Sequence, residues 1–405
     1  MIFSELVIGE VCEVGSSKRI YASEYKDSGI PFYRSKEVIQ KARNESIKDE
    51  LYIGDGRFLE LDNKFGSPKY GDILLASIGA NLGISYFVNT NYRFYFKDGN
   101  VTWFKNFSEK LNSKFLYYWF NSQDGQNKIL NSAIGSAQKA LTIDGLKKLK
   151  FVAPLCEEQK TIADTLTCLD DKIELNNRIN NTLEEMAQAI FKSWFVDFEP
   201  FQDGEFEDSE LGMIPKGWRV GTLGDIANII MGQSPKGTSY NGNSDGAVFY
   251  QGRTDFGRRY PTIRLYTTEP KRMADKGDIL LSVRAPVGDI NVANEDCCIG
   301  RGLAALKSKG NCNSYLLYQS LNLKDSFNVY NGEGTVFGSI NKDTLNNMRI
   351  LIPFDKNILE FQDIVGKLDE IFNNNSIQIK ILTLIRDSLL PKLMSGQIRV
   401  PIEEV

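Results

Sequence analysis

The chain has 405 residues, 42% hydrophobic and 25% charged, with a formal net charge of −4, six cysteines and no histidine. That length holds two or three cores rather than one. With no apolar run of ~18 residues and no signal-peptide pattern in the opening MIFSELVIGEVCEVG, a cytoplasmic protein is expected. The absence of histidine removes Ser-His, Cys-His and His-ligated metal chemistry, and Cys12, Cys156, Cys168, Cys297, Cys298 and Cys312 form no CxxC pair, so they read as reduced, mostly buried thiols with no metal bound.

Residues 1–155 alternate strand-like runs (72–76, 92–96) with glycine-rich turns and a short helix at 111–120, and carry 21 basic against 17 acidic side chains. Residues 156–198 contain no proline. Their 4-3 spaced positions Ile162, Leu166, Leu169, Ile173, Asn176, Asn180, Leu183, Ala187, Ile190 and Trp194 form a coiled-coil seam on a long helix. Residues 199–213 hold six carboxylates and no basic side chain and read as a linker. Residues 214–353 return to a mixed pattern, with a strand at 279–283 and a helix at 314–323, and are again basic, 17 against 12 over 214–352. Residues 354–395 form a second long helix, with a tail at 396–405. Its seam is Phe361, Val365, Leu368, Phe372, Asn375, Ile379, Leu382, Arg386, Leu389 and Leu393, each 199 residues after its counterpart. Eight of ten seam positions are apolar in each helix, over about 40 residues or ~60 Å. Positive charge is therefore confined to the globules, whereas residues 156–213 hold 4 basic against 15 acidic side chains.

The helices are one part of an internal repeat. Gly71-Asp72-Ile73-Leu74-Leu75 returns as Gly277-Asp278-Ile279-Leu280-Leu281, and Ile8-Gly9-Glu10-Val11 is echoed by Leu223-Gly224-Asp225-Ile226. Leu146 and Pro154 match Leu345 and Pro353. The order of the matches predicts globule, helix, globule, helix, with two similar globules of mixed α+β or α/β class.

Catalytic motifs are missing. Residues 232–239 (GQSPKGTS) place Thr238 where a phosphate-binding loop needs lysine, and no Asn/Asp-Pro-Pro-aromatic tetrapeptide of a methyltransferase occurs. Two other readings stay open. One is a stand-alone DNA-processing enzyme with a carboxylate-metal site built on Asp72 and Asp278; the other is a scaffold that joins partners through its coiled coil.

Leu175-Asn176-Asn177-Arg178-Ile179-Asn180 and Phe191-Lys192-Ser193-Trp194-Phe195-Val196-Asp197-Phe198 in the first helix resemble strings of type I restriction-modification specificity subunits. So do Pro215-Lys216-Gly217-Trp218 with Leu223-Gly224-Asp225, residues 281–288 (LSVRAPVG) and Gly300-Arg301-Gly302. The resemblance spans essentially the whole chain; the first globule departs from it at Ala76-Ser77-Ile78-Gly79, which lacks an arginine matching Arg284. It implies a non-catalytic DNA-reading subunit. Each globule would be a target-recognition domain for one half of a bipartite, asymmetric double-stranded site, and two long antiparallel helices would set the spacer and dock methyltransferase subunits, two being expected. Restriction subunits would join through the complex; S-adenosylmethionine, ATP and Mg would bind those partners and not this chain. Antiparallel packing about a pseudo-two-fold axis would bring Asn176 and Asn180 close to Asn375, since buried asparagines fix register. Side chains able to make bidentate base contacts nominate Arg34, Lys36, Arg57, Asn81, Gln138 and Lys139 in the first domain, and Gln251, Arg253, Arg258, Arg259 and Arg284 in the second, as DNA-binding.

Overall fold

Glycine-aspartate turns open the central strand of each globule. Gly71 and Gly277 take φ of 93° and 91°, a region that glycine enters without steric cost. The next residue, an aspartate, folds back on the turn. Asp72 accepts from the Lys69 amide (2.9 Å) and the Trp103 indole (2.8 Å), Asp278 from the Asp275 amide (2.9 Å). The strands they launch, Ile73–Ala76 and Ile279–Ser282, are buried at every residue, which is why both begin with the apolar run Ile-Leu-Leu.

The computed structural model describes residues 3–135, 139–332 and 338–401, and the chain divides into two units, residues 1–175 with 378–405 and residues 176–377. In the first, an antiparallel sheet runs in the order Glu13–Gly15, Val101–Lys105, Ile73–Ala76, Ser85–Phe87. A second sheet runs Tyr25–Lys26, Leu51–Ile53, Ile30–Tyr33, Tyr95–Phe96, its last pair parallel. Only Tyr95 and Phe96 of the expected 92–96 strand join it; the Tyr92 hydroxyl bonds that of Tyr33 (2.9 Å). Strand Ser4–Val7 closes on Lys150–Ala153.

The second unit repeats this order. Ala227–Met231, Leu303–Ser308, Ile279–Ser282 and Ile290–Val292 form one sheet. Tyr240–Asn241, Tyr266–Thr267, Ala247–Tyr250 and Cys297–Ile299 form the other, with the corresponding pair again parallel and an extra edge strand, Met273–Ala274. Arg219–Thr222 closes on Arg349–Ile352. The two units differ beyond the parallel strand. The first inserts helices Ser35–Ala42 and Asp55–Phe65 after Tyr33; after Tyr250 the second has an irregular loop with one short turn, Arg253–Asp255.

The two 40-residue helices are Cys156–Phe195 and Asp355–Met394, and every predicted seam position is buried or half-buried. In the first unit Ile162 and Leu166 share a core with Leu389, Leu393 and sheet residues Ile73, Leu75 and Phe104, and Arg386 reaches Asp170 at 2.8 Å. In the second, Asn180 meets Phe372, Asn375 and Ser376, while Phe191 packs on Phe361 with ring centroids 5.8 Å apart. Partner numbers fall as the first helix advances, so the pairing is antiparallel within each unit. The Asn375 amide donates to the Asn180 carbonyl at 3.0 Å, and Asn176 is buried one turn away on the same helix as Asn180.

The acidic stretch is not the plain linker its composition suggests. Phe206–Ser209 pairs with Gly212–Pro215 in a hairpin, and its carboxylates have local partners, Glu205 with Lys216 and Glu207 with the Gly217 amide. Charged residues on the exposed face hide the hairpin's pattern. Trp218, 4% exposed, seals against Phe198 and Phe201 (ring centroids 5.7 and 4.9 Å), which accounts for the aromatic string at the end of the first helix. All six cysteines are free and four are buried; burial pushes the Cys12 and Cys297 thiols up to about 12.

Candidate nucleic-acid interface

In the second unit, backbone hydrogen bonds draw four loops together where the two sheets end. The Gly232 amide donates to Leu303 (2.9 Å), Gln233 to Ile299 (2.9 Å), Gly300 to Tyr250 (2.8 Å) and Val283 to Gly302 (2.9 Å), and the Arg301 amide donates to the Ser234 hydroxyl (3.2 Å). The approach is close enough to require glycine: a Cβ on Gly232 would lie 2.2 Å from the Gly300 carbonyl, and one on Gly300 2.9 Å from Gln251 Cα. Side chains of Gln233, Lys236, Gln251, Arg253, Arg284 and Arg301 are exposed around these glycines. Arg253 pairs with Asp289 at 2.8 Å. Arg284 and Arg301 have no ion-pair partner among the described residues, so their guanidinium forks stay open to an acceptor such as a guanine edge or a phosphate.

Three predicted residues of this domain, Gln251, Arg253 and Arg284, therefore stand together, and the structure adds Arg301, Gln233 and Lys236. Arg301 was visible in the Gly300-Arg301-Gly302 string, and Gln233 and Lys236 lay in the loop that fails as a phosphate-binding motif. Nothing local to either string shows that they adjoin Gln251.

Arg259 is a correction. It is 5% exposed, and its guanidinium donates to Asp369, to Glu184 (3.1 Å) and to the Tyr318 hydroxyl (3.0 Å) while lying 4.0 Å from the Phe372 ring centroid. Burial opposes its charge, yet Tyr318, Asp369 and Glu184 outweigh that and raise its pKa above the usual value. Such a group is not offered to a DNA groove. Arg258 is drawn the same way, onto Glu184 at 2.8 Å, with its side chain 42% exposed.

The first unit gathers the corresponding loops. Gly99 donates to the Ser16 hydroxyl (3.2 Å), Lys97 to Tyr33 (2.8 Å), Ser77 to Asn100 (2.9 Å), Leu141 to Ser77 (2.8 Å) and Gly79 to the Lys139 carbonyl (3.3 Å). Lys36, Asn81 and Lys139 are exposed here, and Arg43, which no motif singles out, donates to Asn81 at 3.2 Å. Gln138 lies outside the described residues. Arg34 is half-buried and pairs with Glu37 at 2.6 Å. Although burial works against its charge, the Arg34 hydrogen bonds hold Glu37 below the usual carboxylate range, so most of this arginine's charge is spent internally. Arg57 stands on helix Asp55–Phe65, tied to Glu24 and Glu60 at 2.8 Å each.

The carboxylates on which a metal site would be built are occupied otherwise. Asp72 and Asp278 sit in separate turns, each hydrogen-bonded to its own turn, with burial raising both pKa values. Among the described residues no cluster of three or more Cys, Asp or Glu is placed to hold a metal ion, and no helix is long and apolar enough to cross a membrane.

A family model described as Type I restriction modification DNA specificity domain matches residues 3–185 and 215–381. A Methanocaldococcus jannaschii protein bearing the name of a type I restriction enzyme specificity subunit, MjaX, is 36% identical over 270 residues, which cover 65% of this chain and 62% of that protein, under two thirds of its length. The MjaIX specificity subunit of the same organism is 30% identical over 417 residues, covering 97% of this chain and 92% of the relative. The crystal structure of a type I restriction-modification S subunit from M. genitalium superposes with a TM-score of 0.63 at 19% identity, over 97% of this chain and 96% of that one, which establishes a shared fold.

Proposed function

The chain belongs to the type I restriction-modification DNA specificity family, and from that membership we propose that each of its two globules reads one half of a bipartite, asymmetric DNA site. The loop cluster around Gly232, Gln251, Arg284 and Arg301 reads one half, and the cluster around Lys36, Arg43, Asn81 and Lys139 the other. The observation that carries this reading is the recurrence of one strand order, with exposed cationic and amide side chains on the same loops, in two units whose side chains at those loops differ. Duplication supplies two readers; divergence makes the halves of the site unlike.

DNA affinity comes chiefly from phosphate contacts, which fix the register of each domain on the duplex, while side chains such as Arg284 and Gln251 discriminate bases. The paired helices set the spacer, because two rigidly held readers meet their half-sites at one helical phase only. They also dock methyltransferase subunits. Ile364 and Ile371 in the second unit and Ile381 and Ile385 in the first are exposed by 42% to 50%, on a helix that monomeric burial leaves incompletely covered. In this division of labour the subunit catalyses nothing itself, and S-adenosylmethionine, ATP and Mg belong to the methyltransferase and restriction partners.

Methylation profiling of DNA from cells that carry the chain with its methyltransferase partner tests the proposal. A two-part motif with unlike halves and a fixed non-specific spacer is expected; an uninterrupted motif, or methylation independent of this chain, overturns it.

A further inference from the structure

A buried arginine that bridges three elements of the second unit is the strongest feature left unused by DNA reading. Arg259 lies midway along the irregular loop that runs from Tyr250 to the strand Tyr266–Thr267, and its backbone carbonyl is fixed by the Val292 amide at 2.8 Å. Its guanidinium reaches Tyr318 on the short helix Asn313–Asn322, Glu184 on the first long helix and Asp369 on the second, and covers the Phe372 ring. One planar fork thus holds the recognition domain to both helices of its unit. We propose that Arg259 is a positioning residue that fixes the angle of the second recognition domain on its helix pair and thereby sharpens the spacer that the complex accepts.

The chemistry favours positioning over plain stabilisation. A buried ion-pair network adds little net stability compared with apolar packing of equal volume. It does penalise misalignment steeply, because any arrangement that parts the guanidinium from Glu184 and Asp369 leaves buried charge unpaired. Only arginine spans both carboxylates at once with a rigid fork, whereas lysine offers a single point of charge. Arg258 adds a second, more exposed link to Glu184 at 2.8 Å. A recognition domain released from this clamp still carries its Gln251, Arg284 and Arg301 loops, so it reads the same bases through a wider range of angles.

This inference rests on the two-half-site reading above. Its test is methylation by the chain, assembled with its methyltransferase partner, of duplexes in which both half-sites are kept and the spacer is varied one base pair at a time. Arg259→Gln and Arg259→Lys are compared with the unaltered chain, and circular dichroism confirms folding; Arg259→Lys retains the buried charge and decides the matter if Arg259→Gln does not fold. Both half-site sequences are expected to stay the same, while methylation at spacers one base pair longer or shorter rises roughly tenfold relative to the native spacer. If a folded variant keeps the original spacer profile and loses activity equally at all spacers, Arg259 is structural only and the inference falls. An unaltered chain with no preferred spacer would instead bring down the two-half-site reading and this inference with it.

Discussion

The two units share a strand order, an aspartate-capped central strand and a tyrosine that donates to a carboxylate on a long helix, yet they recruit arginine in different ways. In the first, Tyr118 donates to Asp170 at 2.7 Å and the guanidinium beside it is Arg386, from the other long helix. In the second, Tyr318 donates to Asp369 at 2.9 Å and the guanidinium is Arg259, from the loop after Tyr250. The inserted segments differ in the same sense. Helices of the first unit neutralise Arg34 and Arg57 with carboxylates three residues on, Glu37 and Glu60, whereas the second unit's loops leave Arg284 and Arg301 unpaired among the described residues. The strand order recurs in both units; the exposed arginines and the arginine that ties to the long helices differ.

The largest effect that would sharpen this comparison lies in the cores. Phe361 and Ile162 hold equivalent seam positions, both essentially without exposure, but Phe361 packs on Phe191, Phe195, Trp194, Tyr315 and Tyr318. Phe361→Ala should cost ~4 kcal/mol and Ile162→Ala ~3 kcal/mol in denaturant unfolding. A loss under ~1 kcal/mol for either would show that its seam is not close-packed.

Next in size are the turn aspartates. Asp72→Ala strands the Lys69 amide and the Trp103 indole, a loss of about 2 to 3 kcal/mol, while Asp72→Asn can keep both bonds, since one carboxylate oxygen accepts them. Burial raises the Asp72 pKa in the fold, so its protonated form favours folding at acid pH and that contribution fades as pH rises through the folded-state value. The stability of Asp72→Asn relative to the unaltered chain should therefore grow as pH rises from the ordinary aspartate range. A difference that is flat or falls with pH contradicts the buried-carboxylate account.

The reading surfaces should differ by smaller amounts. Arg284→Glu or Arg301→Glu should cost ~1 to 3 kcal/mol at one position of one half-site if the side chain meets a base. If it meets phosphate, it should instead lower affinity for all sequences and reduce the salt slope by about one unit. Single-base site panels and salt titrations separate the two, and no change in either would move the reading surface elsewhere. Arg57→Gln should alter DNA binding by less than ~0.5 kcal/mol, because this half-buried side chain is already paired with Glu24 and Glu60; a larger loss would put helix Asp55–Phe65 against the DNA.

The repeat, with its recurring Gly-Asp-Ile-Leu-Leu run, and the helix seam were legible in the sequence because each depends on local spacing or on a motif that occurs twice; the bonds that Asp72 and Asp278 make to their own turns were not. The fate of individual arginines was not. Arg253, Arg258 and Arg259 look alike in a basic loop, and what separates them is Glu184 and Asp369, 75 and 110 residues from Arg259. Arg301 and Gln233 gain meaning only when Gly232 and Gly300 meet, and the hairpin at 206–215 was hidden by carboxylates that composition assigns to a linker.

The central claim is that this chain holds two independent half-site readers. The most direct measurement replaces residues 1–155 with a second copy of residues 214–353 and maps methylation by the chimera with its methyltransferase partner. Helices that pair antiparallel should then present the same reader twice in opposite senses, so the methylated site should become an inverted repeat of the half now read by residues 214–353. A site that stays asymmetric and keeps its original first half would contradict the account.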